Sequence, residues 1–422
     1  MLRFSGAFCA FRVLMVASCC CFATRAEGQS ASGARFGIMA TGVVTRADPA
    51  HLGDRYTEGY LTQPNIMADI RRGALQFVGT LNFEGYTLRR GELNAGMYGE
   101  GYVDRRHPHT FVHEAMISAS SSSWRSTRFS LAAGKGFTPY GTDDPMMRPF
   151  EKYPINHHHA QIIERAVAVG AIHIGGDAHG ASLEHGFFNG DEPYAPFNAP
   201  RWSRFGDSRA TRLTVRIVDG LEWQGSRAFV RSPGIVQGGA FDHVQISSSV
   251  RFDRSRMYTG RRYVLAEFAR TDESMGKRRA FRFESLLAEG LFEWRGASVA
   301  VRGERTERPE NERLLDPFRT QAGHIDFQIV GVTRFTIGTL ALTAPAMMIP
   351  RMHVAHVVPF IEVARAHPEA RRLPTVFAPS QFYGSNTLWS LSAGVRLHAG
   401  TMRSRMGRYG VLSETLSTPM SH

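Results

Sequence analysis

Cysteine is missing from everything but the first 21 residues of this 422-residue chain, where Cys9, Cys19, Cys20 and Cys21 cluster. Those four fall in a segment that reads as removable, so disulfides, iron–sulfur clusters, Cys-ligated zinc and cysteine nucleophiles are excluded from the finished protein. Lysine is almost as scarce, at three against 47 arginines. Long hydrophobic runs are also missing: past Ala26 no stretch approaches the roughly 18 apolar residues that a spanning helix needs. Nor is there a Gly-x-Ser-x-Gly elbow, a phosphate loop, a His-Glu-x-x-His pair or a haem Cys-x-x-Cys-His. The expectation is that this is not an enzyme.

What is present begins with Met1 to Ala26, expected to be a cleavable secretory signal. Arg3 and Arg12 precede the apolar run Val13-Leu14-Met15-Val16-Ala17, and Thr24-Arg25-Ala26 is a small-x-small cleavage site. A lipoprotein box at Val16-Ala17-Ser18-Cys19 is the alternative, with only six residues between Arg12 and that cysteine. Cleavage after Ala26 removes three arginines, so the formal charge falls from +12 to +9. A 43 % hydrophobic content with 42 glycines excludes a disordered tail.

Beyond residue 30 the hydrophobic period is two. Leu75, Phe77, Leu81 and Phe83 share one face, with Gln76, Thr80, Asn82 and Glu84 on the other. The same division recurs at Leu213, Val215 and Ile217 against Arg212, Thr214 and Arg216. It returns at Val299 and Val301 against Arg302 and Glu304, at Ile325, Phe327 and Ile329 against His324, Asp326 and Gln328, and at Trp389, Leu391 and Val395 against Ser390, Ser392 and Arg396. Segments of about 9–12 residues, apolar on one side and polar or small on the other, suit tilted strands crossing a bilayer in a closed barrel. A soluble β-sandwich with one wet face, or a propeller, is the bland alternative. Strand length and the loop pattern favour the barrel: Gly73, Gly220 and Gly296 mark tight turns, while 91–106, 137–157, 190–207 and 309–322 are long and rich in Pro, Asp or Asn.

The expected fold is therefore all-β: a porin-like, closed antiparallel transmembrane β-barrel of about 16 strands, within 14–18. It spans residues 27–399 in the outer membrane of a Gram-negative-type bacterium and is followed by a basic, periplasmic C-terminal tail over 400–422. Roughly 17 candidate strands can be counted, and an even number is the rule. Thr339 to Ile349, interrupted by Pro345, is the one to drop. Lipid bilayer, lipopolysaccharide and small solutes are the expected partners. Nucleic acid is not, because the arginines alternate with apolar residues instead of forming a patch.

Two sets of residues could carry function. The polar faces gather Arg128, Arg212, Arg216, Arg251, Arg302, Arg334 and Arg396, with Glu84 among the opposing carboxylates. In a water-filled lumen they would give a mild anion preference; equally, they could pair across neighbouring strands and hold a blocked barrel together. The second set is Asp104, His107, His109 and His113, with His157, His158 and His159 further on. Imidazoles suit Cu or Zn, although histidines at a strand mouth also anchor at the membrane interface. No cofactor beyond possible Cu or Zn at these histidines is expected. The 137–157 loop has the length and polarity to fold inward and narrow a pore, or to lie on the cell surface.

The segment Val103-Asp104-Arg105-Arg106-His107-Pro108-His109-Thr110-Phe111-Val112-His113-Glu114 resembles the Arg-Gln-His-Pro-His-Asp block of a poorly characterised family of bacterial outer-membrane barrels, often encoded near copper or heavy-metal resistance genes. The likeness extends to Gly134–Pro145, to His157-His158-His159 and to Phe187-Phe188-Asn189-Gly190-Asp191-Glu192-Pro193, covering about residues 35 to 235. Arg106 replaces the Gln and Thr110 the Asp of that block, and the second change removes a carboxylate. The resemblance implies an outer-membrane barrel and supplies no substrate. A passive channel or transport component, a non-conducting structural or metal-binding barrel, and a rim-site hydrolase all remain open from sequence.

Overall fold

The computed structural model describes residues 32–49, 55–88, 109–142, 144–176, 178–193, 195–233, 241–256, 260–311, 329–349, 352–401, 403 and 405–412. The expected signal segment, Asp104, His107 and residues 324–328 lie outside that set.

The strands run in chain order as β1 (Gly33–Asp48), β2 (Tyr56–Arg72), β3 (Leu75–Asn82), β4 (Val112–Ser120), β5 (Thr127–Gly136), β6 (Arg165–Gly175), β7 (Gly180–Phe188) and β8 (Ser208–Val218). They continue as β9 (Leu221–Val230), β10 (Asp242–Arg256), β11 (Gly260–Met275), β12 (Arg278–Trp294), β13 (Ala297–Asn311), β14 (Ile329–Thr343), β15 (Met347–Ile349), β16 (Met352–Arg372) and β17 (Leu388–Gly400). Each wall strand pairs antiparallel with the next, β14 pairs directly with β16, and β1 pairs with β17 from Gly37↔Gly400 to Asp48↔Trp389. The sheet thus closes on itself with no free edge, the only strand-built arrangement that satisfies every backbone group inside a bilayer. Sixteen strands form the wall. The three-residue β15 pairs with β16 alone and sits between β14 and β16, so the proline-bearing Thr339–Ile349 segment adds no wall strand of its own: it is the end of β14 followed by a flap.

Alternation decides which face meets lipid. Leu75, Ile217, Val250, Val301, Leu286 and Leu391 are exposed on the outside, while their neighbours Gln76, Ser249, Arg302, Ser285 and Ser390 are buried inside. Trp294 and Trp124 at one end of the barrel, and Trp389 and Trp202 at the other, mark the interfacial rims where amphipathic rings settle. The tight turns at Gly73, Gly220 and Gly296 share one end with the start of β1 and the end of β17; the long connections β3–β4, β5–β6, β7–β8 and β13–β14 share the other. A closed barrel with an apolar belt and this asymmetry is an outer-membrane β-barrel.

Among the described residues the interior is lined by polar and charged side chains. Thr62, Gln224, Glu84, Glu114, Glu184, Glu267, Arg302 and Glu362 all point inward and are buried. Two segments outside the wall cover most of them, the β5–β6 connection and the residues after β17, while Glu84 is covered within the β3–β4 connection.

Candidate functional site

The chain leaves the wall at Gly136 and turns into the lumen. Gly141 sits at φ +74°, and a Cβ there would meet the Ala160 carbonyl at 1.7 Å, so the entry requires glycine. Gly141 N donates to Ser226 Oγ (3.0 Å), and Thr142 Oγ1 donates to Gln224 Oε1 (2.9 Å), fastening this stretch to β9. Further along, Arg148 pairs with Glu267 of β11 (3.3 Å), and the backbone N–H groups of Glu151 and Lys152 donate to the two oxygens of Glu362 on β16 (2.8 and 3.0 Å). Lys152 Nζ reaches Ser390 of β17 (3.0 Å), and Arg302 of β13 donates to the Lys152 carbonyl (2.9 Å). The β5–β6 loop therefore crosses the barrel and is held by the far wall. Of the two placements open from sequence, the structure takes the inward one.

The segment after β17 enters from the short-turn end. Arg403, Arg405 and Arg408 are each about 3 % exposed, far from the solvated tail their composition suggests. Arg403 pairs with Glu114 of β4 (2.6 Å), Arg405 with Glu222 of β9 (2.7 Å) and Arg408 with Glu184 of β7 (3.2 Å). Tyr409 donates its hydroxyl proton to Glu114 (2.7 Å) and accepts from Phe137 N (3.0 Å). The expectation of a periplasmic tail is corrected for these residues: inward-facing carboxylates on β4, β7 and β9 pair the arginines, and Met406 and Tyr409 are buried in apolar clusters beside them.

The sequence-selected arginines divide. Arg212 lies inward on β8 and grips Glu184 with two bonds (2.6 and 2.7 Å) while donating to the Gly141 and Gly407 carbonyls (3.2 and 2.8 Å). Arg302 lies between Glu289 and Glu304 at 4.0 and 3.9 Å, with its guanidinium over the Phe150 ring. Arg251 pairs with Asp253 (2.6 Å), and Arg396 donates to the Pro149 carbonyl (3.2 Å) and to Glu151 (3.5 Å). Arg128 and Arg216 are partly buried near the short-turn end of β5 and β8. Arg334 is corrected: it has the parity of exposed Thr336, opposite to buried Thr333, Phe335 and Ile337, and pairs with Glu307 on the outer face of the neighbouring strand. Glu84 begins a short helix after β3, not a strand, and accepts from Thr62 Oγ1 (2.7 Å), Gln63 N (2.8 Å) and His109 (2.8 Å); it anchors the β3–β4 connection.

The histidines are placed as follows. His109 Nδ1 meets Glu84 and His113 Nδ1 meets Glu164, both at 2.8 Å, with the two rings 5.0 Å apart. Burial alone would lower the His109 pKa, but the carboxylates of Glu84, Glu164 and Asp144, Glu84 foremost, outweigh it and hold the imidazole up to about 9. His157 and His158 belong to a one-turn helix, His157–Ala160, and their side chains are outside the described set. His159 bonds Thr271 Oγ1 and the Glu307 carbonyl (both 2.9 Å), and burial pushes it down to about 4. Among the described residues no three of His, Asp and Glu converge as a ligand set.

Sequence reasoning missed the wall carboxylates Glu114, Glu222, Glu267, Glu289 and Glu362, and the three arginines after β17. The signal for the glutamates was there, since each has the inward parity of its strand; the three arginines carry no comparable signal, because charge pairing has no sequence period.

No protein-family model matches the sequence, and no curated relative does. Solved structures do match in outline. The chain is similar to bacterial porins. An anion-selective porin from Comamonas acidovorans is 8 % identical over 88 % of this chain and 100 % of that one, with a TM-score of 0.49. The trimer form of OmpT from Vibrio cholerae is 9 % identical over 88 % and 100 %, at 0.47. OccK3 from Pseudomonas aeruginosa is 10 % identical over 87 % and 96 %, at 0.36. At these identities the likeness is one of architecture, and the porin-like barrel stands on its own strand pairing.

Proposed function

We propose that this barrel is a channel for small solutes whose passage is limited by the inward β5–β6 loop. One observation carries the reading: the backbone of Glu151 and Lys152, in mid-loop, is clamped by Glu362 on a strand far around the wall. A loop that only decorated the cell surface would have no reason to spend its backbone donors there, whereas a loop that sets a cut-off must be held across the lumen. Charge selectivity is weaker than an arginine count suggests, because Arg212, Arg251, Arg302 and Arg396 all lie against carboxylates. Focusing of one sign of ion needs uncompensated charge.

The test is single-channel recording of the purified protein in planar bilayers. Small steps with little preference between anion and cation are expected; silence across many insertions refutes the channel. The burial of nearly every inward polar side chain favours a second reading, a non-conducting structural barrel, and that silence is its expected result.

A further inference from the structure

The inward loop does not fill the lumen alone. Its bonds run to β8 through β13, β16 and β17, and the segment after β17 is bound to β4, β5, β7, β8 and β9. The two share a seam. Arg405 and Arg408 both donate to the Thr142 carbonyl (3.3 and 3.2 Å), Arg212 bridges Gly141 and Gly407, and Met406 packs on Phe137 and Met146.

We propose that Arg403 and residues 405–412 belong to a self-supplied plug, an autoinhibitory segment that narrows the part of the lumen left by the β5–β6 loop and that can be released without unfolding the barrel. Among the described residues, what holds it inside are three arginine–glutamate pairs on three different strands and the burial of Met406, Tyr409 and Leu412, with no strand of its own in the sheet. The barrel is closed by β1 and β17 before this segment begins, so the wall does not need it. Glycine at 407 and 410, both at positive φ, lets the backbone coil tightly between Phe137 and Ser130. A few charge pairs and three buried apolar side chains, at separate points, can be undone by competing charge or by pull on the segment, which a continuous ladder would resist.

The proposal rests on the channel reading, and the experiment separates the two. Conductance of the full-length chain is compared with that of a chain truncated after Thr401 and of a triple variant, Arg403→Gln, Arg405→Gln and Arg408→Gln, each first shown to fold by heat-modifiable migration on a gel. A several-fold larger conductance, and entry of larger sugars in liposome swelling, is expected for both variants. Wild-type conductance in a folded variant overturns the plug while leaving the channel intact. No current in any of the three overturns the channel reading and the plug with it. Should the truncation and triple variant not fold, Arg405→Gln, which keeps two of the three pairs, reads the same effect at smaller amplitude, and an unchanged conductance there is again a refutation.

Discussion

Replacing Glu184 by Gln tests whether the interior is as dry as the side chains make it. Glu184 is 1 % exposed and Arg212 2 %, joined by parallel bonds of 2.6 and 2.7 Å, and Arg408 takes the same carboxylate at 3.2 Å. The amide keeps the shape, takes from Arg212 its paired carboxylate and leaves Arg408 only the charge of Glu222. With charge centres about 4 Å apart and an effective dielectric near 20, each lost attraction is about 4 kcal/mol, and breaking buried pairs from one side costs about 3–5 kcal/mol. The surface pair Arg254–Asp219, at 3.0 Å but 42 % and 65 % exposed, is the control; Asp219→Asn should cost under about 1 kcal/mol. Denaturant unfolding from lipid vesicles, followed by the fluorescence of the five tryptophans, measures both. Glu184→Gln with Arg212→Met should show a coupling well above the surface pair's in a double-mutant cycle. Equal, sub-kilocalorie losses at the two sites would mean that water reaches Glu184 and that the lumen is an ordinary wet pore.

Three further outcomes follow from the same geometry. His109 has a folded pKa of about 9 against 6.5 unfolded, so the contribution of its protonated form beside Glu84, Glu164 and Asp144, about 3 kcal/mol, is fully present below pH 6.5 and is lost as pH rises through 9; a His109→Gln variant should lose that pH dependence in unfolding curves between pH 7 and 10. Gly141→Ala, which drives a Cβ into the Ala160 carbonyl at a positive-φ position, should cost more than about 1 kcal/mol and make the β5–β6 loop cleavable by added protease; a protease-resistant variant would show that the loop does not need this turn. Leu286→Arg, at the centre of β12 and 55 % exposed to the outside, should destabilise the barrel in lipid by about 2–4 kcal/mol, whereas a neutral result would place that face in water.

The amino-acid sequence determined the barrel. Alternation at Leu75 to Asn82, Leu213 to Arg216 and Trp389 to Arg396 reports which side of each strand can sit in lipid, and side-chain period two is a local property of the chain. Pro345 even marked the segment that fails as a wall strand, since a missing N–H is visible in one residue. Arg334 shows the limit of the same logic, because a polar residue near a strand end, in reach of Glu307, tolerates either face. What fills the barrel was decided only by tertiary structure. Whether Arg403 ends in water or against Glu114, 289 positions away, depends on closure of the wall and on how many carboxylates it turns inward. Charge pairing has no sequence period and acts through space, so the loop and the segment after β17 could find their places only once sixteen strands had built the lumen that holds them.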